Sequence, residues 1–277
     1  LSPDGASLVA TREALETWDR QTAERTALPV RSLLKAGAFS QDGQRFYAAL
    51  LEPGLLVWDT SDWTSSSVMG PPTGGARRII ALAERWVLTC GVGAGLLVMH
   101  DVPGERDAYA RLAQDLVFPD VRASPDGRQA IAVADDGELV RVDIEAGEAP
   151  TSTILGVHTS ATAAAITHTG AVLVVDERGL VRLDGATLEE RQRFEVGGRA
   201  ILDVAVSPDG ELVATGERDG RASVWRTDDG ALVAELRGHR ERVPSIAFSA
   251  DGAWVVTASW DATVRLWHVA SMAPSAD

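Results

Sequence analysis

A four-residue turn motif recurs along the chain and sets the size of its structural unit. Proline at the second position of a turn presets φ to about −65°, Asp tolerates the third position, and Gly takes the left-handed position that follows. A turn of this kind joins two antiparallel strands. The motif Ser-Pro-Asp-Gly, or a looser copy of it, begins at Ser2, Ser40, Ser124, Thr167, Ser207 and Ser249.

The motif repeats with a nearly constant period. Its glycines stand at positions 5, 43, 127, 170, 210 and 252, which gives gaps of 38, 84, 43, 40 and 42 residues. The gap of 84 equals two periods of 42, so a degenerate turn is expected near residues 83–85. A second anchor, an apolar residue followed by a polar one, falls once in each period, at Trp18, Trp58, Met99, Val142, Leu183, Trp225 and Trp267.

Short apolar runs lie between these anchors. Residues 130–134 read AIAVA and residues 172–175 read VLVV, which is typical of buried strands, whereas almost no segment has a helical period. Three or four strands of about 5–7 residues fit into each period. The sequence therefore predicts an all-β protein built from seven repeats of about 41 residues.

The last two repeats carry a specific resemblance. They read GGRAILDVAVSPDGELVATGERDGRASVWR and GHRERVPSIAFSADGAWVVTASWDATVRLWH. The pair Gly238 and His239, the turn at Ser249 and the closing Trp267 resemble the WD40 repeat, the unit of a seven-bladed β-propeller. The resemblance implies a single seven-bladed, WD40-like propeller over residues 1–271, with blades of up to four antiparallel strands, followed by a tail at 272–277.

The first and last blades are expected to be incomplete. The first repeat starts at the turn between strands a and b, and the last ends after strand c. In the resembling family, the N-terminal segment usually supplies strand d of the last blade before it enters the first. We therefore expect roughly 15–20 further residues upstream of Leu1, at ~3.3 Å per strand residue, to complete both blades. The alternative is that residues 1–30 pair irregularly and close the ring themselves.

The resemblance also implies a structural hydrogen-bonded network in the last repeat. In WD40 blades a His, a Ser or Thr, an Asp and a Trp form a chain, and the matching residues are His239, Thr257, Asp261 and Trp267. The types are complementary because an indole N–H only donates, a carboxylate only accepts, and hydroxyl and imidazole do both. Trp267 is thus expected to be structural. A hydrolase triad is disfavoured because the threonine would be occupied by the tryptophan.

The sixth repeat keeps only part of this pattern. Thr215, Asp219 and Trp225 match, but Gly198 stands near the place of the histidine. We therefore expect the hydrogen-bonded network of the sixth repeat to be incomplete and its blade to be held less strongly.

Trp260 is the main candidate for partner binding. It precedes Asp261 in the turn between strands b and c, which opens onto the top face of the resembling propellers, and exposed tryptophan is enriched at binding hot spots. The alternative is that its ring covers the edge of the core. The other candidate residues of the top face are Arg218, Arg240, Arg242, Asp135 and Glu177.

Charge and composition restrict the classes of partner that the chain can bind. A net charge of −14 argues against binding to nucleic-acid phosphates or to anionic membranes, and favours a basic partner. No apolar run approaches the roughly 18–20 residues of a membrane span. Cys90 is the only cysteine, and the histidines lack metal-site spacing, so neither a metal nor a cofactor is predicted. A cytoplasmic location is expected.

Three functional classes follow. The first is a non-catalytic scaffold that binds protein or peptide partners through its top loops. The second is the C-terminal sensor propeller of a larger bacterial protein, with a kinase, nucleotide-hydrolysing or peptidase-like domain upstream of Leu1. The third, a propeller enzyme, would need carboxylates or histidines converging on a central channel, and the repeats show no regular polar position of that kind. No catalytic residue is therefore predicted.

Overall fold

We describe the fold from a computed structural model of the chain. The described residues are 2, 7–11, 15–19, 22, 24–28, 34–50, 55–68, 76–82, 86–91, 97–101, 109–113, 118–145, 151–158 and 160–271. They form strands joined by turns, with one short 3-10 helix at Val269–Ser271. Within these ranges, no helix is long and apolar enough to cross a membrane.

The first three sheets are antiparallel meanders, in which each strand pairs with the next one along the chain. Sheet 1 contains β1 (Ser7–Thr11), β2 (Leu15–Asp19) and β3 (Arg25–Leu28). Sheet 2 contains β4 (Leu34–Phe39), β5 (Arg45–Leu50), β6 (Leu55–Asp59) and β7 (Ser65–Val68). Sheet 3 contains β8 (Ala76–Ala81), β9 (Trp86–Gly91), β10 (Leu97–Asp101) and β11 (Tyr109–Ala113).

The remaining sheets continue the same order. Sheet 4 contains β12 (Asp120–Ala123), β13 (Gln129–Val133), β14 (Glu138–Asp143) and β15 (Thr151–Val157). Sheet 5 contains β16 (Ala163–Ile166), β17 (Val172–Asp176), β18 (Gly179–Leu183) and β19 (Glu190–Arg193). Sheet 6 contains β20 (Ile201–Val206), β21 (Leu212–Glu217), β22 (Ala222–Arg226) and β23 (Leu232–Leu236). Sheet 7 contains β24 (Ser245–Phe248), β25 (Trp254–Ala258) and β26 (Val264–His268).

The sheets confirm the all-β prediction and correct the number of blades. Among the described residues, five sheets have the four strands of a complete blade, and sheets 1 and 7 have three. The prediction of seven blades is therefore corrected to five complete ones. The shortfall lies in the two end repeats, which each contribute three strands, and β26 pairs only with β25 among the described strands.

The turn motif is built as the sequence predicts. In the fourth repeat the Ser124 hydroxyl accepts a hydrogen bond from the Gln129 N–H at 3.0 Å and donates one to Asp126 at 2.6 Å. Gly127 closes the turn with a φ of 65°, in the left-handed region that glycine tolerates best. The turns at Ser40, Ser207 and Ser249 repeat this serine-centred pattern. Residues 83–85, where a degenerate turn was expected, lie outside the described residues.

The chain divides into two compact units, one over Leu1–Val121 and Asp143–Ser152, the other over Arg122–Val142 and Thr153–Asp277. In the second unit, the sheets pack face to face through apolar side chains. The rings of Phe194 and Trp225 lie 6.2 Å apart and join sheet 5 to sheet 6. Val224 and Ile246 belong to the cluster that joins sheet 6 to sheet 7. Each large apolar side chain buried in this way contributes about 1.5–3 kcal/mol.

A buried ion pair adds a polar link in the same unit. Asp203 on β20 is 1% exposed and accepts a hydrogen bond from Arg122 on β12. Its other carboxylate oxygen accepts the backbone N–H of Ile246 on β24 at 2.9 Å. One carboxylate thus connects the first strands of sheets 4, 6 and 7. Nothing in the repeat pattern had singled out this aspartate.

In the other unit, one anchor tryptophan lacks a polar partner. Trp58 on β6 is fully buried, and its indole N–H has no hydrogen-bond acceptor among the described residues. By strand register, Ala48 on β5 holds the position that Thr215 and Thr257 hold in sheets 6 and 7. An unpaired buried N–H costs about 1–3 kcal/mol.

Restoring the missing acceptor should stabilise the chain. We expect Ala48→Thr to be more stable than Ala48→Val by about 1 kcal/mol, because only the threonine can accept the Trp58 N–H. The two variants have the same shape, so any strain from the added methyl groups cancels. Urea denaturation measures the difference. Equal stabilities would show that no hydrogen bond forms at this position.

Candidate partner-binding site

The hairpin of β25 and β26 positions the last two tryptophans differently. Val255 pairs with Trp267 and Ala258 pairs with Val264, so Trp267 lies on a strand. Trp260 lies in the turn 259–263 that joins the two strands. Ala262 closes this turn with a φ of 63°. We refer to the end of the sheets that carries this type of turn as the top end.

The structure brings the four predicted network residues together. The Trp267 Nε1–H donates to Thr257 Oγ1 at 2.9 Å, and Thr257 Oγ1 lies 2.8 Å from His239 Nε2. His239 Nδ1 lies 3.0 Å from Asp261 Oδ2. Because the carboxylate can only accept, the imidazole proton is assigned to Nδ1, and Nε2 then accepts from the Thr257 hydroxyl. The chain of bonds is complete from indole to carboxylate.

Asp261 ties the network to the surrounding backbone. Its carboxylate accepts the Thr263 hydroxyl at 2.6 Å and the backbone N–H groups of Arg240 and Thr263, each at 3.0 Å. The Thr263 hydroxyl, the backbone N–H groups and His239 together hold the pKa of Asp261 far below its usual range. The carboxylate therefore stays ionised, and the stability that it contributes is lost only as the pH falls into the acidic range.

Sheet 6 replaces the histidine by a different polar network. Trp225 Nε1–H still donates to Thr215 Oγ1, at 3.1 Å. The neighbouring carboxylate is Glu217, which is fully buried, accepts the Ser223 hydroxyl at 2.6 Å and lies 3.5 Å from an Arg199 nitrogen.

The prediction of an incomplete network in this repeat therefore needs a correction. It looked for a histidine at Gly198, whereas the next residue, Arg199, supplies the cation from the same loop. Asp219 lies apart from the buried network and pairs with Arg221 at 3.3 Å. Glu217 lies two positions after Thr215 on the same strand, so the two side chains point to the same face of the sheet. A charged residue at this inward position is the signal in the sequence that could have identified Glu217.

Burial raises the pKa of the Glu217 carboxyl, against the opposing effects of the Ser223 hydroxyl and Arg199. A carboxyl with a raised pKa in the folded state holds its proton more tightly there than in the unfolded chain. Its contribution to stability is therefore present below the unfolded-state pKa of about 4.3 and is lost as the pH rises through the folded-state pKa.

Glu217→Gln should make the chain less sensitive to this loss. The amide carries no charge to desolvate, so the variant should gain free energy of unfolding relative to the wild type between pH 4 and pH 7. Urea denaturation at both pH values measures the gain. Glu195→Gln, at an exposed position, is the matched control and should show no such change. A constant difference between Glu217→Gln and the wild type at the two pH values would contradict the assignment.

Trp260 is exposed and held in place. Its side chain is 64% exposed, and the guanidinium carbon of Arg242 lies 3.8 Å from the centre of its ring. This distance is that of a cation–π stack. The Trp260 backbone N–H also donates to the Arg242 carbonyl at 3.1 Å. The ring therefore does not cover the core, which was the alternative interpretation.

Further bonds fix the turn 259–263 against the loop that precedes β24. The Ser259 hydroxyl donates to the Glu241 carbonyl at 2.9 Å, and the Arg240 N–H donates to Asp261. Together with the bonds of Trp260, these contacts hold an exposed aromatic ring on a rigid support. Such preorganisation reduces the entropy that a partner must overcome on binding.

Arg218 belongs to the adjoining turn of sheet 6. Its side chain is exposed, and its backbone N–H donates to the Ala200 carbonyl at 2.9 Å. In the same turn, a Cβ added to Gly220 would lie 3.0 Å from the His239 carbonyl oxygen. The turn that carries Arg218 thus packs directly against the loop that carries Arg240 and Arg242.

The other two candidates lie in the equivalent turns of sheets 4 and 5. Asp135 and Glu177 are both exposed, in the turns between β13 and β14 and between β17 and β18. Within the described ranges, no group of three or more His, Cys, Asp or Glu side chains could hold a metal ion.

Comparisons with known families and proteins agree with the repeat pattern. The family model described as WD domain, G-beta repeat, matches residues 191–226 and 230–268. The periodic tryptophan protein 2 homolog of Schizosaccharomyces pombe is 38% identical over 69 residues, which are 24% of this chain and 8% of that protein. A pre-rRNA-processing protein of Mycosarcoma maydis is 38% identical over 69 residues, 25% of this chain and 12% of that protein.

A longer match comes from a cyanobacterium. A WD repeat-containing protein of Synechocystis is 36% identical over 115 residues, which are 40% of this chain and 32% of that protein. The chain thus spans less than two thirds of the length of each of these relatives.

The fold is that of a β-propeller. The crystal structure of the β-propeller domain of Cps50 (Swd1) from Myceliophteria thermophila superimposes with a TM-score of 0.70 over 97% of this chain and 95% of that domain, at 18% identity. The family match at residues 191–226 and 230–268 and this shared fold agree with the resemblance drawn from the sequence: the last two repeats match the WD domain, and the chain has an all-β propeller fold.

Proposed function

We propose that this chain is a non-catalytic scaffold that binds a protein or peptide partner through the top end of sheets 6 and 7. The observation that carries the proposal is Trp260, a largely exposed ring stacked on Arg242. Tryptophan and arginine are the residue types most enriched at binding hot spots. The relatives support a binding role only in general, because their matches cover repeat segments and not whole proteins.

The proposed surface offers a partner both apolar area and charge. Trp260 supplies the apolar ring and Arg242 stacks on it, while Arg218 and Arg240 add positive charge in the adjoining loops. Glu241, Asp219 and Asp261 contribute carboxylates to the same loops. The overall charge of −14 favours a basic partner, and these mixed local charges would set its orientation.

The polar chemistry of the site also favours binding over catalysis. The Thr263 hydroxyl lies 3.1 Å from His239 Nδ1, and its proton is donated to the Asp261 carboxylate at 2.6 Å. Thr257, the hydroxyl on the other side of the imidazole, already hydrogen-bonds both Trp267 and His239. It is fully buried, so no substrate reaches it. We further infer that sheets 1 and 7 are incomplete blades, which would make seven in total. A catalytic domain upstream of Leu1, a bacterial origin and a cytoplasmic location stay predictions.

Replacing Trp260 should weaken partner binding strongly without unfolding the chain. Peptides selected from a phage-displayed library on the full chain would provide a ligand, and fluorescence polarisation would give its Kd. We expect Trp260→Ala to weaken binding at least about tenfold, as loss of a hot spot does. Arg218→Ala should weaken it by a smaller factor.

Trp254→Ala is the matched control. Trp254 is 40% exposed and lies at the other end of β25, so its loss removes a similar ring from the opposite end of the same strand. It should leave the Kd within about twofold of the wild type. Circular dichroism would verify that each variant is folded. Peptides whose affinity survives both Trp260→Ala and Arg218→Ala would contradict the proposal.

A further inference from the structure

A second candidate site lies at the bottom end of sheets 5 and 6, opposite the top-end turns. It is a cleft of about 730 Å³, within the range of ligand pockets. Its walls come from the turn between β16 and β17, the turn between β20 and β21, and the turn between β22 and β23. In an antiparallel meander these turns share one end of the sheet, and the turns near Trp260 occupy the other.

Arg182 is the unusual residue of this cleft. It lies on β18, and its half-buried side chain lines the cleft without an ion pair to any described residue. Its Nε is fully buried and has no hydrogen-bond partner among the described residues. A partly desolvated guanidinium without a counter-ion is costly, and a carboxylate that pairs with it in a bidentate geometry would remove the cost.

A second unpaired group lies in the same wall. Thr227 is 94% buried, since its exposure is 6%, and its hydroxyl has no hydrogen-bond partner among the described residues. The backbone N–H of Thr227 is already used, because it donates to the Glu211 carbonyl at 2.9 Å. Arg182 and Thr227 therefore give this cleft two unsatisfied polar side chains among the described residues.

The remaining lining residues of the cleft indicate what else the ligand must carry besides a carboxylate. Leu212, Val233 and Val269 form an apolar wall that suits an aliphatic side chain. The Asp228 carboxylate pairs with Arg226 at 3.3 Å, but Asp209 and Glu211 are exposed at the rim. A doubly charged phosphate would be repelled by that rim, whereas a singly charged carboxylate needs only the one unpaired guanidinium.

We propose that this cleft binds a peptide segment in which an acidic side chain lies next to an aliphatic one. The carboxylate pairs with Arg182, and the aliphatic side chain packs on Leu212, Val233 and Val269. The chain then has two binding sites, one at each end of its sheets. This second site is independent of Trp260, so either site can fail its test without affecting the other.

The test uses a matched pair of small probes on the full chain. N-acetyl-Glu-Leu-amide and N-acetyl-Gln-Leu-amide differ only in the charge of the first side chain. Titration followed by the NMR signal of the Arg182 Nε–H should show saturable binding of the glutamyl probe, and binding at least about tenfold weaker for the glutaminyl probe, the loss expected for a charge-assisted pair.

Variants of Arg182 complete the test. Arg182→Met should abolish binding of the glutamyl probe, and Arg182→Lys, which keeps the charge but loses the planar fork, should retain part of it. Arg191→Met, an exposed arginine of the same repeat, is the control and should bind as the wild type does. Equal affinity for the two probes, or unchanged affinity in Arg182→Met and Arg182→Lys, would overturn the proposal.

Discussion

Each short sheet of this chain can bury its apolar faces only against another sheet, and this requirement governs the structure. The middle strands of sheets 4 and 5 are buried at nearly every residue, as β13 and β17 show, so side chains on both faces of these sheets need a neighbour. The second unit meets the requirement by stacking, with the clusters around Ile131 and Ile166, Phe194 and Trp225, and Val224 and Ile246 between successive sheets. The repeat period is the length of chain that makes one such layer.

Polar networks are a variable addition to this constant apolar packing. In sheet 7 the indole of Trp267 connects through Thr257 and His239 to an ionised Asp261. In sheet 6 the Thr215 position is kept, but the buried charge comes from Glu217 and Arg199. In sheet 2 the indole N–H of Trp58 has no acceptor within the part of the chain that the structure describes. Since all three sheets form, the networks contribute to stability and rigidity without being required for the sheet to form.

The repeat period and turn chemistry predicted the order of the strands, because a Ser-x-Asp-Gly turn has few other conformations. The resemblance to WD40 repeats pointed to the four network residues in the last repeat. Glu217 carried a signal in its inward position on β21, but its pairing with Arg199, like that of Asp203 with Arg122, depends on tertiary contacts that no local pattern records. The number of complete blades follows from strand pairing in the two end repeats, where the repeat pattern already predicted missing strands. Arg182 and Thr227 were missed since their significance lies in the partners that they lack.

We assign Trp267 to the stability of the fold and Trp260 to the contact with a partner. Urea denaturation of Thr257→Val and Trp260→Ala tests this division directly. We expect Thr257→Val, which leaves a buried indole and imidazole without their shared hydroxyl, to lower the free energy of unfolding by about 2 kcal/mol. Trp260→Ala should lower it by less than about 1 kcal/mol, the value of an exposed cation–π stack. A larger loss for Trp260→Ala than for Thr257→Val would show that the two roles are assigned wrongly.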